Sequence, residues 1–198
     1  AIMSVARALA LVGLAGSVGA CTTIAVGKGA TVDGSVMATH TDDAESGADA
    51  RLVLVPAADH PSGQLRPVYY DLESFPHEPR PGQDPIGHIP QVAHTYRHFV
   101  NTYGIANEHQ VGMAESTCSA VFGAKAVGHG GKALLSIDSL SRIGLERCAT
   151  SRCAVQTMGA LAEKYGFYGP GSFEGSGESL MVVDPTEAFV FHVLPDDT

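Results

Sequence analysis

The sequence contains no tryptophan and no run of lysine or arginine residues. Its 12 basic side chains are outnumbered by 21 acidic ones, so nucleic-acid binding has no electrostatic basis. Paired Cys-x-x-Cys spacings, typical of zinc sites, and internal repeats are also missing from the sequence. No stretch after residue 20 is apolar enough to cross a bilayer. We therefore predict no metal or cofactor, and one domain in a chain of 198 residues.

The first twenty residues resemble a secretory signal. Arg7 precedes a short apolar run over residues 8–20, which ends in small residues, with Val18 and Ala20 three and one positions before Cys21. We expect residues 1–20 to be removed and the protein to be secreted, or to reach a periplasmic or lysosomal lumen, without a remaining membrane span. Two alternatives are a buried N-terminal helix, which the glycines disfavour, and a lipoprotein in which Cys21 carries the lipid.

Cleavage after Ala20 would give Cys21 both a thiol and a free α-amine. The thiolate is the nucleophilic form of cysteine, and an α-amine titrates near neutral pH. An N-terminal cysteine can therefore use its own amine as general base, as N-terminal threonine enzymes do. This pairing makes Cys21 the predicted nucleophile.

The other three cysteines are Cys118, Cys148 and Cys153. Cys148 and Cys153 lie five positions apart at a predicted helix junction, a spacing that regular helix geometry would not bridge. One disulfide with a remaining thiol, or three buried thiols, are both compatible with the sequence.

Residues 22–26 and 35–40 predict a β-hairpin, because β-branched segments flank a turn rich in glycine and aspartate. The second strand leads into Asp42 and Asp43. Because the two strands are antiparallel, we expect one of these carboxylates to lie near Cys21.

The remaining elements indicate an α+β protein with mainly antiparallel sheets and a helical layer. Residues 56–92 hold eight of the eleven prolines and predict an ordered surface loop that helps to form the pocket, rather than an excursion without a role. Further predicted elements are a strand at 52–55, two strands within 103–117, helices from Ser136 and from Thr150 or Ser151, and a closing hairpin at 180–194.

Several motifs together resemble one family. They are Cys-Thr-Thr-Ile-Ala-Val-Gly-Lys at 21–28, Asp-Gly-Ser-Val-Met at 33–37, Thr-Asp-Asp at 41–43, Tyr-Gly-Ile-Ala-Asn-Glu-His-Gln at 103–110, Glu-Ser-Thr at 115–117, and Leu-Ser-Arg-Ile-Gly-Leu-Glu-Arg at 140–147. This set is similar to the secreted dipeptidases related to dipeptidase A and the secernins, within the N-terminal-nucleophile (Ntn) hydrolases. The resemblance implies an αββα sandwich and a cysteine-type dipeptidase acting on short peptides.

The resemblance also implies roles for single residues. Cys21 matches the nucleophile, Asp43 the acidic residue after the first hairpin, and Asn107 the asparagine near the oxyanion. His40 stands where the wider superfamily has arginine, which would make a cationic role there depend on pH. His40 and Asp42 are the predicted substrate-binding residues.

Family members are longer than this chain, so the resemblance implies that residues 21–198 form the N-terminal part of the domain, incomplete at its C-terminus. A C-terminal continuation or a second copy of the chain is then an expected partner. The competing hypothesis is an inactive or truncated relative that serves as a binding or structural protein.

Overall fold

The computed structural model describes residues 21–41, 51–71, 82–118, 120, 123–170 and 177–196. These ranges contain short strands early in the chain, a helical pair and a closing hairpin. The strands are β1 (Thr23–Val26), β2 (Met37–His40), β3 (Val53–Val55), β4 (Ala58–Asp59), β5 (Leu65–Val68), β6 (Gly87–Pro90), β7 (His94–Thr95), β8 (His98–Val100), β9 (Gly104–Asn107), β10 (Gly112–Cys118), β11 (Gly177–Val183) and β12 (Ala188–Val193), and the helices are α1 (Ile137–Arg147) and α2 (Ser151–Tyr165).

A six-stranded antiparallel sheet is the centre of the fold, with the strand order β12-β11-β10-β9-β8-β3. The long strands β10 and β11 pair from Gly112↔Val183 to Cys118↔Gly177. Antiparallel neighbours need only tight turns between them, and turns after Asn107 and Asp184 supply two of these connections. The predicted α+β class with mostly antiparallel sheets is therefore confirmed.

The two helices cover one face of this sheet. Helix α1 packs on β8 and β9, and α2 packs on β11 and β12. On the sheet side, a Cβ at Gly144 of α1 would lie 2.8 Å from the Met113 methyl, so Met113 faces the helices. Leu180 and Val182 are fully buried and belong to the same core.

The helix boundaries agree with the capping signals in the sequence. The Ser136 and Thr150 hydroxyls accept hydrogen bonds from the backbone N–H groups of Ser139 and Cys153, as N-caps do. Helix α2 ends at Gly166, whose φ of 74° lies in the left-handed region that favours glycine.

Cys148 and Cys153 form a disulfide, with their Cα atoms 5.4 Å apart. The expectation that their spacing would not be bridged applied to a regular helix. Cys148 ends α1 in an extended conformation, and the chain re-enters a helix only at Ser151, so the break brings the two sulfurs together. Of the two alternatives, the structure contains one disulfide.

The proline-rich segment differs from the predicted loop, because its described part contains β4, β5 and β6. Val68 and Ile89, from the paired strands β5 and β6, are fully buried in the core. Arg66 of β5 reaches α1, where its Nε donates to Glu146 Oε1 over 2.9 Å. Prolines are tolerated here because these strands form a small sheet of two edge strands. The segment thus contributes the two-stranded sheet β5–β6, which is tied to the core, and the strand β4, which pairs with β7.

The hairpin β1–β2 forms a separate two-stranded sheet, in register from Thr23↔His40 to Val26↔Met37. It packs on the central strands β10 and β11, while the helices contact the other face of the six-stranded sheet. The described residues thus form a layer of helices, a layer of six strands and a layer containing the hairpin. Within them, neither helix has the length and apolar character needed to span a membrane.

Candidate functional site

Cys21 lies at the open end of the β1–β2 hairpin, half-buried, and its thiol is outside any disulfide. The backbone N–H and carbonyl groups of the next residue, Thr22, both form hydrogen bonds with Thr41, which follows the second strand of the hairpin. The Thr22 N–H donates to Thr41 Oγ1 over 3.1 Å, and the Thr41 N–H donates to the Thr22 carbonyl over 2.9 Å. These two bonds fix the backbone directly after Cys21.

Ser116 ties Cys21 to the central sheet. Its hydroxyl donates to the Cys21 carbonyl oxygen over 2.9 Å. Side chains alternate between the two faces of a strand, and Met113 of β10 faces the helices. Ser116 and Cys118 therefore face the hairpin, and the nucleophile candidate is anchored on this face of β10.

A row of polar side chains continues from Ser116 across the sheet. Ser116 pairs with Ser179 of β11, and Ser179 pairs with His192 of β12. The Ser179 hydroxyl lies 2.7 Å from His192 Nδ1 and donates to the sulfur of Cys118 over 3.5 Å. Cys118, like Cys21, is outside any disulfide. This row of side chains cannot be predicted from the sequence, because it depends on the register of three strands.

His40, a predicted substrate-binding residue, lies in β2 opposite Thr23. Its Nδ1 is buried and has no hydrogen-bond partner within the described part of the chain. Thr41 follows it and leads directly into Asp42 and Asp43, which lie outside the described residues. The roles assigned to these three residues remain predictions.

Asn107 ends β9, and the structure does not bring it together with Cys21. Its Nδ2 donates to the carbonyls of Leu145 and Cys148, on the helical side of the sheet, over 2.8 and 2.7 Å. Its Oδ1 accepts from the N–H groups of His109 and Val111. Because Val111 is five residues before Ser116 along the chain, about 17 Å of extended chain separates the partner of Asn107 from the residue that holds Cys21. The structure assigns Asn107 a structural role, and its catalytic role remains a prediction.

A pair of buried glutamates lies on the helical side of the sheet. Glu115 and Glu178 are each 1% exposed, and the Thr117 hydroxyl lies 3.2 and 3.4 Å from their Oε1 atoms. Burial, followed by the neighbouring Glu115 carboxyl, raises the pKa of Glu178 to about 10. Glu178 is therefore protonated at neutral pH, and the pair avoids two like charges side by side.

Glu178 also lines a small cavity of about 30 Å³, large enough for one or two water molecules. Three tyrosines and an aspartate from three separate connections of the chain share its wall: Tyr70, Asp71, Tyr103 and Tyr168. The Tyr168 hydroxyl accepts from the Asp71 N–H over 3.0 Å, and burial raises its pKa strongly. The proline-rich segment thus contributes to a cavity with mixed polar and apolar walls, on the face of the sheet opposite Cys21.

The described ranges contain no cluster of three or more histidine, cysteine, aspartate or glutamate side chains placed to hold a metal ion. The side-chain chemistry near Cys21 is that of thiols, hydroxyls and imidazole. Such groups serve nucleophilic attack and proton transfer.

The α+β fold, with its mostly antiparallel sheets and two helices, is consistent with a hydrolase fold. Comparison with protein-family models identifies the family of the chain. The model of Peptidase family C69 matches residues 20–189, and the chain belongs to this peptidase family. The predicted dipeptidase family is thereby confirmed. No curated protein sequence gives a significant match to the chain.

Proposed function

We propose that the protein is a cysteine-type dipeptidase whose nucleophile is the Cys21 thiol, freed by removal of residues 1–20. Membership of Peptidase family C69 supports a peptidase. The observation that carries the assignment to Cys21 is the hydrogen bond from Ser116, which fixes this residue against the central sheet at the start of a hairpin. The family match begins at residue 20, next to the proposed cleavage point.

In the proposed reaction, the α-amine of Cys21 takes the thiol proton, and the thiolate attacks the carbonyl carbon of the peptide bond. The tetrahedral intermediate collapses to a thioester, while the leaving amine takes the proton back from the α-ammonium group. Water, deprotonated by the same amine, then hydrolyses the thioester. Backbone N–H groups near Cys21 are the proposed donors to the oxyanion.

Dipeptides carry a free ammonium group next to the bond that is cut. Asp42 and Asp43 follow Thr41, whose hydroxyl contacts the residue after Cys21. We assign recognition of the substrate ammonium to these carboxylates, since a charged partner gives the strongest hydrogen bonds. His40 is the other proposed substrate-binding residue.

The architecture that goes with this function is the αββα sandwich of the Ntn hydrolases. Helices on one face of the six-stranded sheet and a hairpin on the other are compatible with this proposed architecture. Secretion through the leader is part of the same proposal.

The test compares two forms of the protein, one with the leader and one that begins at Cys21. The second form should hydrolyse dipeptides and the first should not, because only the second has a free amine at the nucleophile. Intact mass after expression in a secreting host adds an independent readout. Equal activity of the two forms, or a lipid mass on Cys21, would contradict the proposal.

A further inference from the structure

The cavity beside Glu178 has buried polar residues in its wall. Ser136, Tyr168 and Glu178 line it, and each of them is at most 5% exposed. Tyr70 and Tyr103 also line it and are half-buried. The three buried residues come from the N-cap of α1, the chain after α2 and the start of β11. The cavity therefore lies where three parts of the fold meet.

Glu178 carries an unsatisfied oxygen beside this cavity. Its Oε1 lies 3.4 Å from the Thr117 hydroxyl, whereas its Oε2 is buried without a hydrogen-bond partner in the described part of the chain. A carboxyl group keeps an acceptor lone pair on each oxygen even when it shares its proton with a neighbour such as Glu115. Native proteins satisfy nearly all buried polar atoms, either with protein groups or with ordered water. The oxygen therefore indicates a ligand that donates a hydrogen bond.

The other two buried residues supply the further partners that such a ligand needs. The Tyr168 hydroxyl accepts from the Asp71 N–H over 3.0 Å, and the Ser136 hydroxyl accepts from the Ser139 N–H over 3.2 Å. Each hydroxyl still has one hydrogen to donate and a second lone pair. A hydrogen bond between the Ser136 and Tyr168 side chains uses one of these hydrogens and leaves the other. The ligand must therefore both donate and accept hydrogen bonds.

The size of the cavity and the charge of its wall restrict the ligand further. A volume of about 30 Å³ holds one or two water molecules, whereas benzene needs a cavity of about 150 Å³. Burial raises the pKa of Glu178 to about 10, so its carboxyl is neutral at physiological pH. A neutral carboxyl beside two hydroxyls favours a small neutral molecule over a cation.

We propose that this cavity is a water site, in which one or two ordered water molecules donate to Glu178 Oε2 and bridge β11 to Ser136 and Tyr168. An internal water with two to four polar partners is a structural part of a protein and is costly to remove. The site is separate from the proposed reaction at Cys21, because it lies on the opposite face of the sheet and contains none of the residues assigned to that reaction.

Oxygen-17 magnetic relaxation dispersion counts the internal water molecules that stay in a protein longer than its tumbling time. The amplitude measured on the full chain should fall by one or two water molecules in Glu178→Met, because methionine offers no acceptor oxygen. Glu178→Gln keeps a side-chain oxygen and should keep the amplitude. Ser139→Ala is the matched control, since the Ser139 hydroxyl is also buried without a described partner but does not line the cavity.

A crystal structure of the wild-type protein tests the site without any substitution. It should show a water oxygen within about 3.2 Å of Glu178 Oε2. An unchanged dispersion amplitude in Glu178→Met, with thermal unfolding showing that the variant is folded, would overturn the proposal. A crystal structure in which Oε2 bonds to a protein group, or in which an ion occupies the cavity, would overturn it as well.

Discussion

The structural role of Asn107 leads to a quantitative prediction. Its side chain makes four hydrogen bonds, all to backbone groups, and these join the β9–β10 turn to the end of α1. Three of the four partner residues, Val111, Leu145 and Cys148, are fully buried. Water cannot replace the lost bonds at these positions without opening the core.

Asn107→Ala should therefore destabilise the protein strongly. A buried backbone group left without a partner costs about 1–3 kcal/mol, so three of them give a loss of about 3 kcal/mol or more in the free energy of unfolding. In a protein of this size, each kcal/mol lowers the midpoint of thermal unfolding by about 2–4 °C, which gives a drop of about 10 °C.

The assay is thermal unfolding followed by circular dichroism, with turnover measured well below the midpoint. Asn101→Ala is the matched control, because the half-buried Asn101 side chain accepts hydrogen bonds from the neighbouring Thr102, whereas the contact with Arg142 is made by the Asn101 backbone carbonyl. It should change the free energy of unfolding by less than about 1 kcal/mol. An Asn107→Ala protein with an unchanged midpoint and lost turnover would refute the structural argument and favour a place at the oxyanion.

Three further predictions concern the site and its support. Ser116→Ala should lower kcat for dipeptide hydrolysis by about tenfold with little change in KM, because it removes the hydrogen bond to the Cys21 carbonyl oxygen. An unchanged kcat would show that this hydrogen bond does not position Cys21 for catalysis. The wild-type free energy of unfolding should fall as the pH rises from 4.5 to about 10, because the raised pKa of Glu178 means that its carboxyl binds a proton more tightly in the folded state, and Glu178→Gln should remove this fall. Urea unfolding across this pH range measures the effect. The same pH dependence in both proteins would show that Glu178 is not a buried, protonated carboxyl. Asp43→Asn should raise KM for dipeptides and leave the free energy of unfolding nearly unchanged, because the substrate ammonium loses its charged partner. The same KM and kcat in the variant and the wild type would show that Asp43 is only a turn residue.

Local features of the fold could be predicted from the sequence because local chemistry determines them. Ser136 and Thr150 are capping residues, so the starts of both helices can be predicted from the sequence. The motif beginning at Cys21 likewise indicated the family that the comparison confirms.

Features that depend on strand register were not predicted. Ser116 and Ser179 lie 63 positions apart, and only the pairing of β10 with β11 makes them neighbours. The contact between Arg66 and Glu146, which ties the proline-rich segment to the core, also joins residues that are far apart in the sequence. Asn107 shows the converse limit: the motif indicated its importance, whereas its four backbone partners became visible only in three dimensions.

The central claim is that Cys21 is the nucleophile, and the most direct test is dipeptide turnover by position-21 variants of the leaderless protein. Cys21→Ala should show no turnover while its unfolding midpoint stays near that of the wild type, because the half-buried side chain is small. Cys21→Ser should keep a small residual rate, since oxygen occupies the attacking position but is the poorer nucleophile. A Cys21→Ala protein that hydrolyses dipeptides at the wild-type rate would contradict the account.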